Sequence, residues 1–143
     1  RAIKFSAPPL SRTANQPPAA THADFLREAM AKQVGSEDVY FEFGVQLQSS
    51  PTAMPVEDPL VQWDESVAPF QRVAIIRIPK QDITADGRDE IAENLSFTPW
   101  HSLPEHRPLG SNNRARRAIY EAISDFRHKQ NGVVTQEPTK LPW

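Results

Sequence analysis

The chain has 143 residues, of which 38% are hydrophobic and 24% charged, so it has room for one folded domain and is not a disordered chain. Its formal net charge is −2 and its one basic cluster is Arg114–Arg117, so nothing in the charge indicates nucleic acid as the main partner. The absence of cysteine excludes disulfides and thiolate chemistry, and no apolar run approaches the roughly 20 residues of a membrane span.

Alternating apolar and polar residues predict three strands in the first half of the chain. The first covers Ala2–Ala7 and ends at two prolines. The second, Val39–Gln48, has one apolar face, and Gly44 inside it marks a bulge or a close approach to the backbone. The third is Arg72–Pro79.

Two features separate these strands. Residues Ala23–Val34 carry an apolar stripe at helical spacing and precede a glycine, so they predict an amphipathic helix. Residues 49–70 contain several prolines and read as a long excursion, which we expect Val61 and Trp63 to anchor, because a loop of this length needs buried anchors.

The second half of the chain begins with a short predicted fourth strand, Glu93–Thr98. The longest predicted helix, Asn112–Gln130, follows a Pro-rich loop; Ser111, Asn112 or Asn113 offers an N-cap, and the helix stops at Asn131-Gly132. The tail, residues 131–143, is predicted to be an extended arm. Four strands and two helices in this order favour an α+β or barrel class. Because four strands cannot close a barrel, we expect something outside this chain to cover the open edges.

The predicted last helix carries a candidate site. Arg116 and Tyr120 are four residues apart and Arg127 is seven beyond Tyr120, so the three side chains share one side of the helix. They lie beside a stripe formed by Ile119, Ala122, Ile123 and Phe126. Two interpretations remain open from the spacing: a solvated basic face that contains a tyrosine, or an anion site whose centre is a phenolate.

Two further patterns are weaker. His101 and His106 bracket Glu105, but their spacing does not fit one helix face and Pro104 interrupts regular structure, so the pattern disfavours a metal site. Asn94-Leu95-Ser96 has the form of a glycosylation sequon, which we interpret as a chance occurrence.

The order of these segments resembles one known family. The segments that carry the resemblance are Ala2–Phe5, Ala23–Ala31, Phe43–Gln48, Pro59–Trp63, Arg72–Pro79, Glu93–Pro99, the loop Pro99–Gly110 and the motif Arg116-x-x-x-Tyr120 with Arg127 seven residues on. Together they are similar to the back half of a haem catalase barrel, in the small catalase-like peroxidase branch of that family. The resemblance covers roughly residues 1–130.

The resemblance implies an α+β fold built on an antiparallel β-barrel with packed helices, of which residues 1–143 form the C-terminal half as a single domain. It implies haem b as the cofactor, with residues 112–130 as the haem-proximal helix and Tyr120 as the proximal iron ligand. Iron and the cation of Arg116 both favour the phenolate form of Tyr120, and an anionic oxygen ligand favours ferric iron. Arg127 matches the position near the haem propionates, and Phe97 matches an apolar pocket wall.

The sequence departs from the family in two ways. Where the family has an acidic residue two positions after the tyrosine, this chain has Ala122, with Glu121 beside it. The distal His and Asn of the family belong to the front half of the barrel, and no histidine of this chain matches them. We therefore expect the N-terminal half of the same barrel as a partner, a homo-oligomeric assembly, and no activity of this chain alone.

The implied activity of the full polypeptide is catalase- or peroxidase-type processing of a peroxide substrate. The chain opens at Arg1 within a strand pattern and without an initiator methionine, so we expect it to be a piece of a longer chain. Three alternatives remain: a haem-free C-terminal fragment, a fatty-acid-hydroperoxide isomerase or lyase of the same fold, and a half barrel that binds a lipid or another small ligand.

Overall fold

The computed structural model describes residues 1–10 and 22–136. These residues form a mixed α+β structure, which confirms the predicted class. Its strands are β1 (Ile3–Ser6), β2 (Val39–Leu47) and β3 (Gln71–Ile78), and its helices are α1 (Phe25–Ser36), α2 (Arg88–Glu93) and α3 (Ser111–Asn131), with a 3-10 turn at Pro104–His106. None of the helices in this part of the chain is long and apolar enough to cross a membrane.

The three strands form one antiparallel sheet in the order β1-β2-β3. Each lies within two residues of its predicted bounds, because the alternation and the prolines that end β1 and β3 are local signals. The sheet formed by the described residues is open and has two edges, so the closed barrel stays a prediction.

Gly44 lies both at a bulge and at a close approach to the backbone, which are the two possibilities predicted for it. The register between β2 and β3 shifts between Phe43 and Gly44, which is a β-bulge. A Cβ atom at Gly44 would also lie 3.6 Å from the Gln71 carbonyl oxygen and 3.6 Å from the Phe70 ring, so the chain approaches this glycine closely.

The face of the sheet that carries Gln46 is covered by residues 49–55 and 61–70 of the sheet unit. Gln46 is 0% exposed, and its Nε2 donates hydrogen bonds to the carbonyl oxygens of Ala68 (2.8 Å) and Trp63 (3.4 Å). Trp63 is itself buried and donates from Nε1 to the Pro55 carbonyl (3.1 Å), so the predicted anchor is confirmed. Val61 remains exposed, and the prediction that it anchors the excursion is wrong.

The opposite, apolar face of the sheet is open. Phe5 is 60% exposed and stacks on Phe43 of the neighbouring strand, with ring centroids 5.6 Å apart. Ile76, which pairs with Phe41 in the register of β2 and β3, is also exposed. A continuous apolar sheet face of this kind is typical of a surface that another element covers.

Asp38 joins the ends of β2 and β3. One carboxylate oxygen accepts a hydrogen bond from the Lys80 backbone N–H (2.8 Å), and the other accepts one from Arg77 Nε (2.7 Å) and one from the Tyr40 hydroxyl (3.1 Å). The Lys80 N–H, followed by Arg77, holds the pKa of Asp38 below its ordinary value of 3.8.

The lowered pKa of Asp38 predicts an acid-sensitive contribution to stability. At pH values around 3.8, the unfolded chain binds more protons at Asp38 than the folded chain does. The contribution of Asp38 to stability is therefore complete above that pH. It is lost as the pH falls through the lowered pKa of the folded state. We expect Asp38→Asn to lower the urea midpoint near neutral pH, and the two proteins to converge in acid. A constant difference across the pH range would contradict this role.

The described residues divide into two compact units. The sheet unit comprises Arg1–Pro55 and Val61–Ala85, and the helix unit comprises Val56–Leu60 and the chain from Asp86 onward. The sheet unit contains all three strands and α1, and the helix unit contains α2 and α3. The single-domain organisation expected from the length stays a prediction.

The fourth strand predicted at Glu93–Thr98 is wrong. Arg88–Glu93 form the short helix α2, and residues 94–98 have no regular structure. The carbonyl oxygens of Asn94 and Leu95 accept hydrogen bonds from side chains of α3 rather than from a strand. Alternation in the sequence indicates which residues would share a face. It does not show whether a neighbouring strand is present to pair with them, and a strand forms only where such pairing is possible.

Candidate functional site

The helix that carries the candidate site is confirmed to within one residue at each end. It ends at Gly132, whose φ of 67° is the left-handed conformation that glycine favours at a helix end. Its N-cap is Gly110, so the predicted capping by Ser111, Asn112 or Asn113 is wrong. Asn113 instead donates from Nδ2 to the Leu109 carbonyl oxygen (2.6 Å). Residues 133–136 of the predicted tail lack helix and strand, and the rest of that tail lies outside the described residues.

Gly110 sets the start of α3, and a side chain there is expected to be costly. Its φ is 90°, and a Cβ atom would lie 3.1 Å from the Val56 carbonyl oxygen. We expect Gly110→Ala to lower the free energy of unfolding by about 1–3 kcal/mol, measured in urea. Gly35→Ala is the matched control: a Cβ atom on this glycine of α1 meets nothing within 4 Å, so we expect a gain of about 0.5–1 kcal/mol. Equal effects of the two changes would contradict the argument.

The apolar stripe of α3 is exposed rather than buried. Ile119, Ile123 and Phe126 all lie in the exposed class, as does Ala122. Phe97, which the resemblance assigns to a pocket wall, is 66% exposed. In the helix unit, therefore, the surface around the candidate site is apolar and open.

Tyr120 lies at the border of this stripe. It is 39% exposed, and among the described residues its hydroxyl makes no hydrogen bond. One turn further along the helix, Ser124 is half-buried and bonded to Ser96. An exposed phenol without an internal partner is available as an oxygen donor to a ligand.

Three arginines at the start of α3 differ in their partners. Arg114 forms a two-point ion pair with Glu57 (2.8 and 2.9 Å), and this pairing holds the pKa of Glu57 below its ordinary value. Arg117 lies over the Trp100 ring, 5.1 Å from its centroid, and donates a long bond to Glu121 (3.4 Å).

Arg116 is the arginine of this cluster that has no carboxylate partner within the described ranges. It is exposed, and Nη1 donates a long hydrogen bond to Asn113 Oδ1 (3.3 Å). Its charge is therefore not neutralised by an internal ion pair, and it lies one turn before Tyr120. Both interpretations of this helix, a solvated basic face and an anion site, stay predictions: Arg116 and Tyr120 are exposed, and the Arg116 guanidinium bonds Asn113, one turn nearer the start of the helix.

Arg127 is half-buried against the segment that follows α2. Its Nη2 donates a hydrogen bond to the Leu95 carbonyl oxygen (2.6 Å). A guanidinium group carries five N–H donors, so this bond orients Arg127 and leaves donors for a carboxylate ligand.

Sequence reasoning missed His128. It is 3% exposed, and its Nε2 lies 2.9 Å from the Asn94 carbonyl oxygen. Because a carbonyl only accepts, Nε2 carries the hydrogen, and in the neutral ring Nδ1 accepts from the hydroxyls of Ser124 (3.3 Å) and Thr135 (3.2 Å). The four-residue spacing of Tyr120, Ser124 and His128 places the three on one side of the helix and could have pointed to His128. A serine and a histidine at this spacing are equally typical of a solvated helix face.

Within residues 1–10 and 22–136, no group of three or more His, Cys, Asp or Glu side chains is arranged to hold a metal ion. The His101 and His106 pattern is thus not part of such a group. In the helix unit, α3 carries three candidate residues. Among the described residues, Tyr120 has no partner for its hydroxyl, Arg116 has no carboxylate partner, and Arg127 is oriented by the Leu95 carbonyl.

Comparison of the chain with protein-family models, curated proteins and solved structures found no match in any of the three.

Proposed function

We propose that this chain supplies the proximal side of a haem b site in a catalase-like protein that processes peroxides, with Tyr120 as the iron ligand. The observation that carries the proposal is the Tyr120 hydroxyl, which has no internal partner in the described structure and lies beside an exposed apolar stripe. Arg116, one turn away and without a carboxylate partner, is the second support.

The residues present fit the chemistry of haem. A porphyrin is flat and apolar with two carboxylates at one edge, and ferric iron prefers an anionic oxygen ligand. The exposed side chains of Ile119, Ile123 and Phe97 match the apolar part. The remaining donors of Arg127 match a carboxylate.

Each of these residues has a role in the proposal. Tyr120 would hold the iron through its phenol oxygen, and the cation of Arg116, one turn away on α3, would favour an anionic oxygen there because opposite charges attract. Arg127 would pair with a carboxylate of the cofactor, and Phe97 would limit water on the same side. When bound, haem supplies the iron redox chemistry for cleavage of a peroxide O–O bond.

The proposal includes a partner for the open apolar surfaces. We propose that the N-terminal half of the same antiparallel barrel covers the sheet face of Phe5 and Ile76 and supplies the distal His and Asn, and that the assembly is a homo-oligomer. The exposure of that sheet face supports this partner. Without a distal general acid and base, peroxide cleavage is expected to be slower by roughly 10²–10⁴-fold, so this chain alone is expected to be inactive.

The test is reconstitution of the full-length polypeptide with ferric haem. We expect a Soret band of high-spin ferric haem and a phenolate-to-iron charge-transfer band. Stoichiometric binding and peroxide turnover would support the enzyme over the haem-free fragment, and turnover of fatty-acid hydroperoxides without release of oxygen would identify the isomerase or lyase alternative. If the folded polypeptide takes up no haem, the proposal fails.

A further inference from the structure

We propose that His128 is a positioning residue, which fixes α3 against residues 94–96 and thereby sets the place of Tyr120 relative to Phe97. This inference rests on the proposed function only where it concerns haem; its structural part is independent of it. His128 has no contact with Tyr120 in the described structure and acts through the helix.

Three consecutive residues after α2 are each held by a residue of α3. The Asn94 carbonyl oxygen accepts from His128 Nε2 (2.9 Å), and the Leu95 carbonyl oxygen accepts from Arg127 Nη2 (2.6 Å). The third contact joins the hydroxyls of Ser96 and Ser124 (2.7 Å). We call these contacts the side-chain ladder. The partner number falls from 128 to 124 as the segment number rises from 94 to 96, so the segment runs antiparallel to the helix.

The ladder restricts both movements that would displace the phenol. At about 100° per residue, the ladder positions on α3 span an arc of roughly 100° over about one turn. Contacts at both edges of such an arc oppose rotation of the helix about its axis, and contacts at two heights oppose sliding along it. A rigid helix then transmits this restraint to its neighbouring turn.

Two proposed site residues, Phe97 and Tyr120, lie next to the Ser96–Ser124 contact of the ladder. Phe97 follows Ser96 directly in the chain, and Tyr120 lies one turn before Ser124 on α3. The ladder therefore fixes an apolar side chain and the proposed iron ligand in one arrangement. In the described structure, the carbonyl oxygens of Asn94 and Leu95 therefore accept from α3 rather than from a neighbouring strand.

His128 is the central member of the ladder because it is buried and uses both ring nitrogens. Nε2 donates to Asn94, while Nδ1 accepts from Ser124, which is itself the partner of Ser96. Asn131 adds a bond from its Nδ2 to the Asn94 side chain (3.0 Å). Loss of the ring leaves the Asn94 carbonyl without this donor and removes the Nδ1 acceptor beside Ser124, so one substitution removes two contacts.

The experiment uses the fact that the chain has two tyrosines, Tyr40 and Tyr120. Ring-labelled tyrosine gives two NMR signals, and Tyr40, in the sheet unit, serves as the internal reference. We expect His128→Leu to shift and broaden the Tyr120 signal and leave that of Tyr40 unchanged. We expect His128→Gln, whose amide keeps a donor for Asn94, to restore most of the Tyr120 signal. In the haem-loaded polypeptide, His128→Leu is expected to weaken ferric haem binding by about 10–100-fold, the size of a supporting contact to a metal ligand.

Gln46→Ala is the control, because it destabilises the sheet unit without changing a residue of α3. If His128→Leu folds and leaves the Tyr120 signal unchanged, or if Gln46→Ala shifts that signal equally, the positioning role is overturned. If His128→Leu does not fold, His128→Gln decides: a folded protein whose Tyr120 signal is shifted and broadened although the donor to Asn94 is kept overturns the role. Failure of the proposed function looks different, because the wild-type polypeptide would then show no phenolate band while the NMR result still stands.

Discussion

Replacement of Tyr120 by phenylalanine is expected to remove the phenolate-to-iron band and to weaken ferric haem binding by more than about 100-fold. Contacts that merely support a metal ligand are worth about 10–100-fold, so loss of the ligand itself exceeds that range. The substitution removes one oxygen and keeps the ring, and no described residue bonds to that oxygen. Optical titration of the full-length polypeptide with ferric haem measures the effect.

Two control variants make this experiment specific. Tyr40→Phe removes the other phenol of the chain, which donates to Asp38 in the sheet unit, and is expected to leave the haem spectrum unchanged. Tyr120→Phe itself is expected to keep the thermal stability of the apoprotein, since its hydroxyl has no internal bond. An unchanged charge-transfer band in folded Tyr120→Phe would remove Tyr120 from the iron and, with it, the proposed function of this helix.

Gln46→Ala is expected to lower the free energy of unfolding by about 2–3 kcal/mol. Gln46 is completely buried and its amide is the donor for the carbonyl oxygens of Ala68 and Trp63, so its removal leaves two acceptors poorly satisfied inside the sheet unit. An unpaired buried acceptor costs about 1–3 kcal/mol. Urea denaturation followed by tryptophan fluorescence measures the change, because Trp63 lies in the same cluster.

Gln71→Ala provides the matched control for Gln46→Ala. Gln71 is the same residue type in the neighbouring strand β3, but its side chain is exposed. We expect an effect within about 0.5 kcal/mol, as for other surface substitutions. If the two changes have equal effects, the amide of Gln46 does not hold Trp63 and Ala68 against the sheet.

The elements that sequence reasoning located correctly are those with local terminators. β1 stops before its two prolines, and α3 stops at Gly132, because glycine adopts the left-handed conformation of a helix end at low cost. The fourth strand was misplaced because Glu93–Thr98 has a suitable composition but no strand partner among the described residues. The short helix α2 was missed because six residues carry too little periodic signal.

The candidate site, too, was predictable from the sequence only in part. The i, i+4 spacing of Arg116 and Tyr120 follows from helical geometry and was visible in the sequence. Which arginine retains an unpaired charge was not visible, since Glu57, the partner of Arg114, is 57 residues away in the chain. The burial of His128 was equally hidden, because its partner Asn94 is 34 residues away.

The sequence by itself determined the α+β class, three strands, the long last helix and the side of that helix on which Arg116, Tyr120 and Arg127 lie, because these depend on contacts within one strand or one turn. Only the tertiary structure decided that the sheet face of Gln46 is covered and that the sheet face of Phe5 is open. It also decided that Arg127 and His128 bind the chain after α2, and that the Tyr120 hydroxyl has no partner in the described structure. These outcomes depend on hydrogen bonds and packing between distant residues, and local periodicity carries no information about them.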